Sequence, residues 1–179
     1  MSTVAISTPI PKACIIGDSG IGKTSITLRW LGTYNEYNEY IPTYLDIQSV
    51  HVYTNETISI CDVYPGGEYH CRLRPLYYKD CQLFIICFSV VDVQSMKSIK
   101  DLWIPEIKHY CKGVPYVICG TKIDLRGSNE YKYIVSEEEG YEFAKSNGSL
   151  QYFECSSKTT QNIDTMLIQI HQILKKKSE

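Results

Sequence analysis

Eight residues near the amino terminus, Gly17-Asp18-Ser19-Gly20-Ile21-Gly22-Lys23-Thr24, have the spacing G-x-x-x-x-G-K-[ST]. Glycines in such a run let the backbone wrap an anion closely, so that successive N–H groups and the following helix N-terminus converge on it. The lysine adds a mobile cation for β- and γ-phosphates, and the hydroxyl after it is a hard oxygen suited to Mg²⁺. The candidate phosphate-binding set is therefore Ser19, Gly20, Ile21, Gly22, Lys23, Thr24 and Ser25, with Lys23 also a candidate catalytic group and Thr24 a metal ligand. The bland alternative is a glycine-rich turn without a ligand. An apolar run at 13–16 and a helical pattern at 23–31 supply the strand and helix that the motif requires, which favours the chemical reading.

A phosphate loop does not select a base, so ATPases and nucleotide kinases fit equally well up to this point. Gly120-Thr121-Lys122-Ile123-Asp124 narrows the choice. It follows the apolar run 116–119, which places it at the carboxyl edge of a sheet, where open α/β folds bind their ligands. Asp124 can accept from guanine N1–H and N2–H₂, whereas adenine leaves the carboxylate unpaired; sites built this way discriminate by about 10⁴ to 10⁵. Ser156-Ser157-Lys158, after the run 152–155, offers N–H groups to the guanine carbonyl. T-K-x-D alone is usually a turn with a helix cap. Downstream of a phosphate loop it marks Thr121, Lys122, Asp124, Ser156, Ser157 and Lys158 as base-recognition candidates for GTP and GDP.

These loops need a scaffold that brings them to one edge. Short apolar runs at 13–16, 83–88, 116–119 and 152–155 alternate with amphipathic stretches, the signature of βαβ units. Alternating runs at 48–53 and 57–61, joined by Thr54-Asn55-Glu56, read as a hairpin that adds one antiparallel edge strand. Ser136 with Glu139 forms a capping box opening a helix that closes near Gly148. The last helix carries Ile163, Met166, Leu167, Ile170 and Leu174 at helical spacing and ends in lysines 175–177. The expected fold is α/β: a doubly wound, mostly parallel sheet with one antiparallel edge strand. Segments 32–45 and 62–76 fit neither period.

The 179 residues suit one domain, spanning 1–179 with a core of about 12–174 and short tails. Eighteen Lys and Arg against 20 Asp and Glu give −2, no cationic field for nucleic acid or anionic lipid. With 44% hydrophobic and 21% charged residues, the chain has the composition of a folded domain. Its 8 cysteines include no C-x-x-C pair, and Cys14, Cys61, Cys87, Cys119 and Cys155 lie in strand-like runs, as buried thiols do. A zinc site from His70, Cys71 and Cys81, or from His109 with Cys111, has irregular spacing against it. The thiols suggest a reducing compartment, so the triplets at Asn55 and Asn147 read as turns rather than glycan acceptors. No apolar run reaches the ~18 residues of a membrane span. Residue 2 is Ser and no cysteine stands near Glu179, so no lipid anchor is expected on the sequence given. The expected location is the cytoplasm, with peripheral membrane association only if a lipidation site has been lost from the carboxyl end.

Beyond these motifs the stretch from about residue 12 to 174 resembles the small GTPases of the Ras superfamily and, within it, the Rho/Rac branch. Arg72-Leu73-Arg74-Pro75-Leu76, Cys87-Phe88-Ser89, Trp103-Ile104-Pro105-Glu106-Ile107-Lys108-His109-Tyr110-Cys111 and Gly120-Thr121-Lys122-Ile123-Asp124-Leu125-Arg126 carry the resemblance, with Thr121 in place of the usual Asn. It implies a phosphate-loop GTPase fold and a GTP/GDP-switched signalling protein, in the Rho branch a regulator of the cytoskeleton. It also implies a monomer whose exchange factors, activating proteins and effectors engage the switch regions. Tyr40-Ile41-Pro42-Thr43 is similar to switch I, with Thr43 a catalytic-site residue and second Mg²⁺ ligand, Tyr40 beside the nucleotide and Tyr34 an aromatic wall over guanine.

Three departures stand out. Switch II of the family reads D-T-A-G-Q-E, and here Asp62-Val63-Tyr64-Pro65-Gly66-Gly67-Glu68. Aligning Gly66 and Glu68 on the family's Gly and Glu makes Gly66 the γ-phosphate glycine and puts Gly67 where the water-orienting Gln belongs. Aligning on Asp62 puts Pro65 at the glycine position instead. Either way the Gln is absent. The segment after Leu125 is too short for the Rho-branch insert helix, and the prenylation cysteine is missing. Two functions follow: a switch that hydrolyses GTP slowly, or a guanine-nucleotide module signalling by occupancy. A phosphate-loop kinase lacks an acceptor site.

Replacing Asp124 by Asn sets a donor against a guanine donor, so guanine affinity is expected to fall while xanthine, whose carbonyl accepts, gains. Competition binding with guanine, xanthine and adenine nucleotides reads this directly, and equal binding of ATP and GTP by the unchanged protein overturns the assignment.

Overall fold

Strands whose sequence is apolar without alternation are strands covered on both faces. The computed structural model, which describes residues 10–34, 46–52, 56–66 and 72–176, bears this out for β1 (Lys12–Ile16), β4 (Leu83–Ser89) and β5 (Tyr116–Thr121). Every residue of β4 and β5 is buried. With β2 (Asp46–Val52), β3 (Glu56–Asp62) and β6 (Tyr152–Cys155) they form a six-stranded sheet in the order β2-β3-β1-β4-β5-β6. β2 runs antiparallel to β3 at one edge, and all other pairings are parallel. This is the doubly wound architecture expected from the sequence.

The helices are α1 (Lys23–Trp30), a one-turn α2 (Arg74–Tyr77), α3 (Val93–Ser98), α4 (Ile104–Tyr110), α5 (Glu137–Ser146) and α6 (Ile163–Lys175). Two cores flank the sheet. On one face Ile15, Ile85, Cys87 and Cys119 meet Ile26 of α1 and Met166 and Ile170 of α6. On the other, Cys14, Ile16, Phe84, Ile86 and Phe88 meet Trp103, Ile107 and Ala144. The alternation of Ile85 and Cys87 with Phe84, Ile86 and Phe88 sorts one strand onto both cores. Trp30 Nε1 donates to Ile163 O at 3.0 Å, fixing α1 against the start of α6.

α3 and α4 are joined without a break by a π-helical stretch, Ile99–Trp103, in which the Ile104 N–H bonds Ile99 O, five residues back. Pro105 supplies a cause: it has no N–H for the preceding turn, and its ring crowds the carbonyl four residues earlier. The capping box at Ser136 and Glu139 forms as the sequence predicts, with Ser136 N donating to Glu139 Oε2 at 2.8 Å and Glu139 N to Ser136 Oγ at 3.2 Å. Residues 53–55 and 177–179 lie outside the described residues, and with them the expected hairpin turn and Lys177, the last of the three terminal lysines. Gln82 immediately precedes β4 and donates its N–H to Lys12 O at 2.9 Å.

The free cysteines Cys14, Cys61, Cys81, Cys87, Cys119 and Cys155 are buried, and Cys111 is half-buried. Hydrogen bonding with Cys155 and Cys87, added to burial, holds the Cys119 thiol well above its ordinary range, the condition of an inert structural thiol. Among the described residues no cluster of three or more His, Cys, Asp or Glu is arranged for a metal, and no helix is long and apolar enough to cross a membrane. His70 and Cys71 lie outside the described residues.

Because five strands run the same way, their carboxyl ends reach one edge of the sheet. Residues 17–24, 62–66, 89–92, 122–124 and 156–158 are gathered there by topology alone.

Gly140 in α5 lies against Tyr152: a Cβ there would meet Tyr152 Oη at 2.0 Å and Cζ at 2.5 Å. Helix propensity alone makes Gly→Ala stabilising by about 1 kcal/mol, whereas overpacking costs about 1–3 kcal/mol. Gly140→Ala is therefore expected to lower the thermal midpoint, and a raised midpoint would show that Tyr152 swings aside freely.

Candidate functional site

The loop 17–24 begins where β1 ends. Gly17 has φ +138°, and a Cβ on it would stand 2.4 Å from Cys87 O, so the loop presses on β4 too closely for any side chain. Lys23 opens α1 and folds back over the loop: Nζ donates to Gly17 O at 2.8 Å and to Asp18 O at 2.6 Å. Its side chain is 6% exposed. Burial lowers the ammonium's pKa, and the nearby Asp62, Cys87 and Asp18 work against that shift. Ile21 is buried, while Ser19 and Gly20 are exposed and Ser25 is half-buried.

Thr24 Oγ1 donates to Asp62 Oδ2 at 2.6 Å. Asp62 ends β3 beside β1, in register with Ile15, and is 3% exposed. A hydroxyl and a carboxylate at the sheet edge are the hard oxygen pair that suits Mg²⁺. Thr24 was expected here; Asp62 was not counted as a ligand from sequence. The contact favours the alignment on Asp62 over the one on Gly66 and Glu68. The chain then continues through Val63, whose N–H bonds Ile15 O at 3.1 Å, to Gly66 with φ +64°. Thr43, Tyr40 and Gly67 lie outside the described residues.

Three braces hold the phosphate loop. Trp103 Nε1 donates to Asp18 Oδ1 at 2.8 Å. Thr121 Oγ1, at the end of β5, lies 2.5 Å from Ile21 O and 3.0 Å from Phe88 O, so this buried hydroxyl is committed to the protein backbone. Lys122, in the left-handed region at φ +60°, donates from Nζ to Gly20 O at 2.7 Å. Burial lowers its pKa, opposed by Asp92 and Asp124.

Asp124 Oδ1 accepts from Ser156 Oγ at 2.5 Å, and Ser156 is fully buried. The fold thus joins the two base-recognition segments side chain to side chain. Carboxylate oxygens carry two lone pairs each, so the Ser156 bond leaves Asp124 acceptor capacity for guanine. Ser157 and Lys158 follow, with their carbonyls held by Arg29 of α1: Nε to Ser157 O at 2.5 Å and Nη2 to Lys158 O at 3.1 Å. The same guanidinium lies 3.6 Å from the centroid of the half-buried Tyr34 ring.

Arg74, in the stretch 72–76 that carries the family resemblance, faces inward: its side chain is 6% exposed and forks onto Glu106 of α4, with Nε to Oε1 at 3.1 Å and Nη2 to Oε2. Nη1 donates to Pro65 O, the guanidinium lies 4.8 Å from the Trp103 ring, and Tyr78 Oη donates to Glu106 Oε1. Burial, then the Glu106 contact, raises the Tyr78 pKa. Arg72, Leu73 and Leu76 remain exposed.

Compared with known protein families, the chain matches the Ras family over residues 12–176.

Breaking a buried ion pair by removing one partner typically costs about 3–5 kcal/mol, because the other charge is left buried and unpaired. Glu106→Ala is expected to lose stability on that scale in urea titration. A loss under about 1 kcal/mol would place the Arg74 pair in the solvent-exposed class.

Proposed function

This chain belongs to the Ras family of small GTPases, and from that premise we propose that it is a guanine-nucleotide switch of the Rho/Rac type that hydrolyses GTP slowly. The observation that carries the proposal is the joining of the two halves of the site. Thr121 and Lys122 of the base segment bond the carbonyls of Ile21 and Gly20 in the phosphate loop, so a base on Asp124 and phosphates on Lys23 belong to one ligand. Mg²⁺ fits the oxygens of Thr24 and Asp62, with Thr43 as the proposed further ligand, and supplies charge neutralisation for the phosphates when bound. The Rho/Rac assignment rests on the sequence stretches around Trp103 and Arg74. Between the 3₁₀ turn Ile123–Leu125 and α5 the chain has no helix, so partners that use an inserted helix there are not expected. Exchange factors, activating proteins and effectors are proposed to meet the exposed Arg72, Leu73 and Leu76 next to the switch. The proposed location is cytoplasmic.

Slow hydrolysis follows from what the site lacks. Phosphoryl transfer to water needs the phosphate charge stabilised and the water held in line. Lys23, the loop amides and Mg²⁺ serve the first need. For the second, Gly66 and Gly67 offer no side chain in either alignment. Arg74, engaged with Glu106 and Pro65, is not placed as an arginine finger. The same absence supports the second reading, a protein that signals by occupancy without significant turnover.

Single-turnover hydrolysis of bound GTP, with and without an activating protein, tests this. Intrinsic turnover is expected at least about tenfold below a glutamine-bearing relative, a barrier difference of about 1.4 kcal/mol or more. Gly67→Gln is expected to accelerate it if the residue added before Gly66 keeps the loop in register. A rate equal to that of a glutamine-bearing relative would show that another residue, such as Tyr64 or Glu68, positions the water.

A further inference from the structure

We propose that Arg29 is a positioning residue for the guanine base, pinning the loop that reads the base and carrying the ring that covers it. This rests on the proposed function and on the sequence reading that sets 156–158 and Tyr34 at the guanine base. The sequence motifs do not include Arg29, which stands in the last turn of α1, six residues after Lys23. At 1.5 Å per residue that separation is about 9 Å. One short helix therefore presents its first residue to the phosphate end of the site and its last turn to the base end.

The geometry uses what is particular to a guanidinium. Nε and Nη2 lie along one edge of the planar group and are directed at two successive carbonyls, Ser157 O and Lys158 O. The face remains open for the Tyr34 ring at 3.6 Å. A lysine ammonium is a point charge and cannot serve two in-plane acceptors and a stacked ring together. The position also suits a cation, since it lies at the negative end of the helix dipole.

The loop needs such a hold. Thr160 and Asn162 adopt left-handed φ of +65° and +62°, a costly conformation for a β-branched residue such as Thr160. Within the loop, Thr159 N donates to Ser156 Oγ at 3.1 Å and Ser156 N to Gln161 O at 3.1 Å. Those bonds shape the turn, and Arg29 ties it to α1. Because a peptide unit is planar and trans, pinning the Ser157 carbonyl also aims the Lys158 N–H in the opposite direction. Arg29 thereby sets the orientation of the backbone donors in the base-reading segment. It also joins that segment to Tyr34, where the chain enters the stretch similar to switch I.

The experiment measures dissociation of a fluorescent GDP, the GDP-to-ADP affinity ratio and the thermal midpoint for the full chain and for Arg29→Ala, Arg29→Lys, Tyr34→Leu and the Arg29→Ala/Tyr34→Leu pair. Both Arg29 variants are expected to release GDP about tenfold faster and to lose about tenfold in guanine preference. The double variant is expected to release little faster than Arg29→Ala alone, because the two side chains act as a unit. Variants that melt earlier but keep the release rate and base preference of the unchanged protein overturn the proposal, as does full rescue by lysine. If Arg29→Ala does not fold, Arg29→Lys carries the test. An unchanged protein with no guanine preference overturns the proposed function and this inference with it; guanine preference unaffected by Arg29 overturns this inference alone.

Discussion

A lysine buried to 6% exposure is an expensive object, and the arrangement of the site follows from how its charge is satisfied. Lys23 Nζ collects the carbonyls of Gly17 and Asp18, which forces the loop to turn its oxygens inward at those two positions. In planar trans peptides the next amides, those of Asp18 and Ser19, then point the other way. The cation thus orders the donors around it as well as lending its own charge. Asp62, drawn to the same edge by the parallel pairing of β3 with β1, offsets the burial from the far side.

Such a cradle binds well only if it does not have to be assembled at the moment of binding. Here the loop is tied to two elements: Asp18 to the helical run beyond β4, and Gly20 and Ile21 to the end of β5. The base segment is fastened in turn through Ser156 and Arg29. The stretch after β3 is fastened as well: Arg74, paired with Glu106, holds the Pro65 carbonyl, so in the proposed switch a movement of 62–66 would have to break this contact to a buried ion pair.

Much of this was legible in the sequence because the signals are local. The phosphate loop is eight consecutive residues, the apolar runs announce doubly covered strands, and the capping box is two residues three apart. The parts that were not legible are joined by contacts across long stretches of chain. Asp62 meets Thr24 from 38 residues away, Trp103 meets Asp18 from 85, and Arg29 meets Ser157 from 128. No periodicity encodes such a pair. Arg74 belongs with these pairs: it stands beside the exposed Leu73 and Leu76, and its burial depends on Glu106, 32 residues on. Only Pro105 gave local warning of the irregular helix.

That irregular helix sets a phase. Its amino end is fixed by Asp92, which caps it, and by Ser95, whose Oγ accepts from Ser89 N at 3.0 Å. Its carboxyl end must turn Trp103 and Glu106 toward the phosphate loop and switch II. Each α-helical residue advances the face by about 100°. The extra residue accommodated in Ile99–Trp103 is what lets both anchorages be met by one continuous rod. A residue lost or gained elsewhere along the rod, with no such wide turn to absorb it, would rotate one end against the other by about 100° and set the indole and the carboxylate on the wrong side. The length of this segment, more than its composition, is therefore what the site inherits from it.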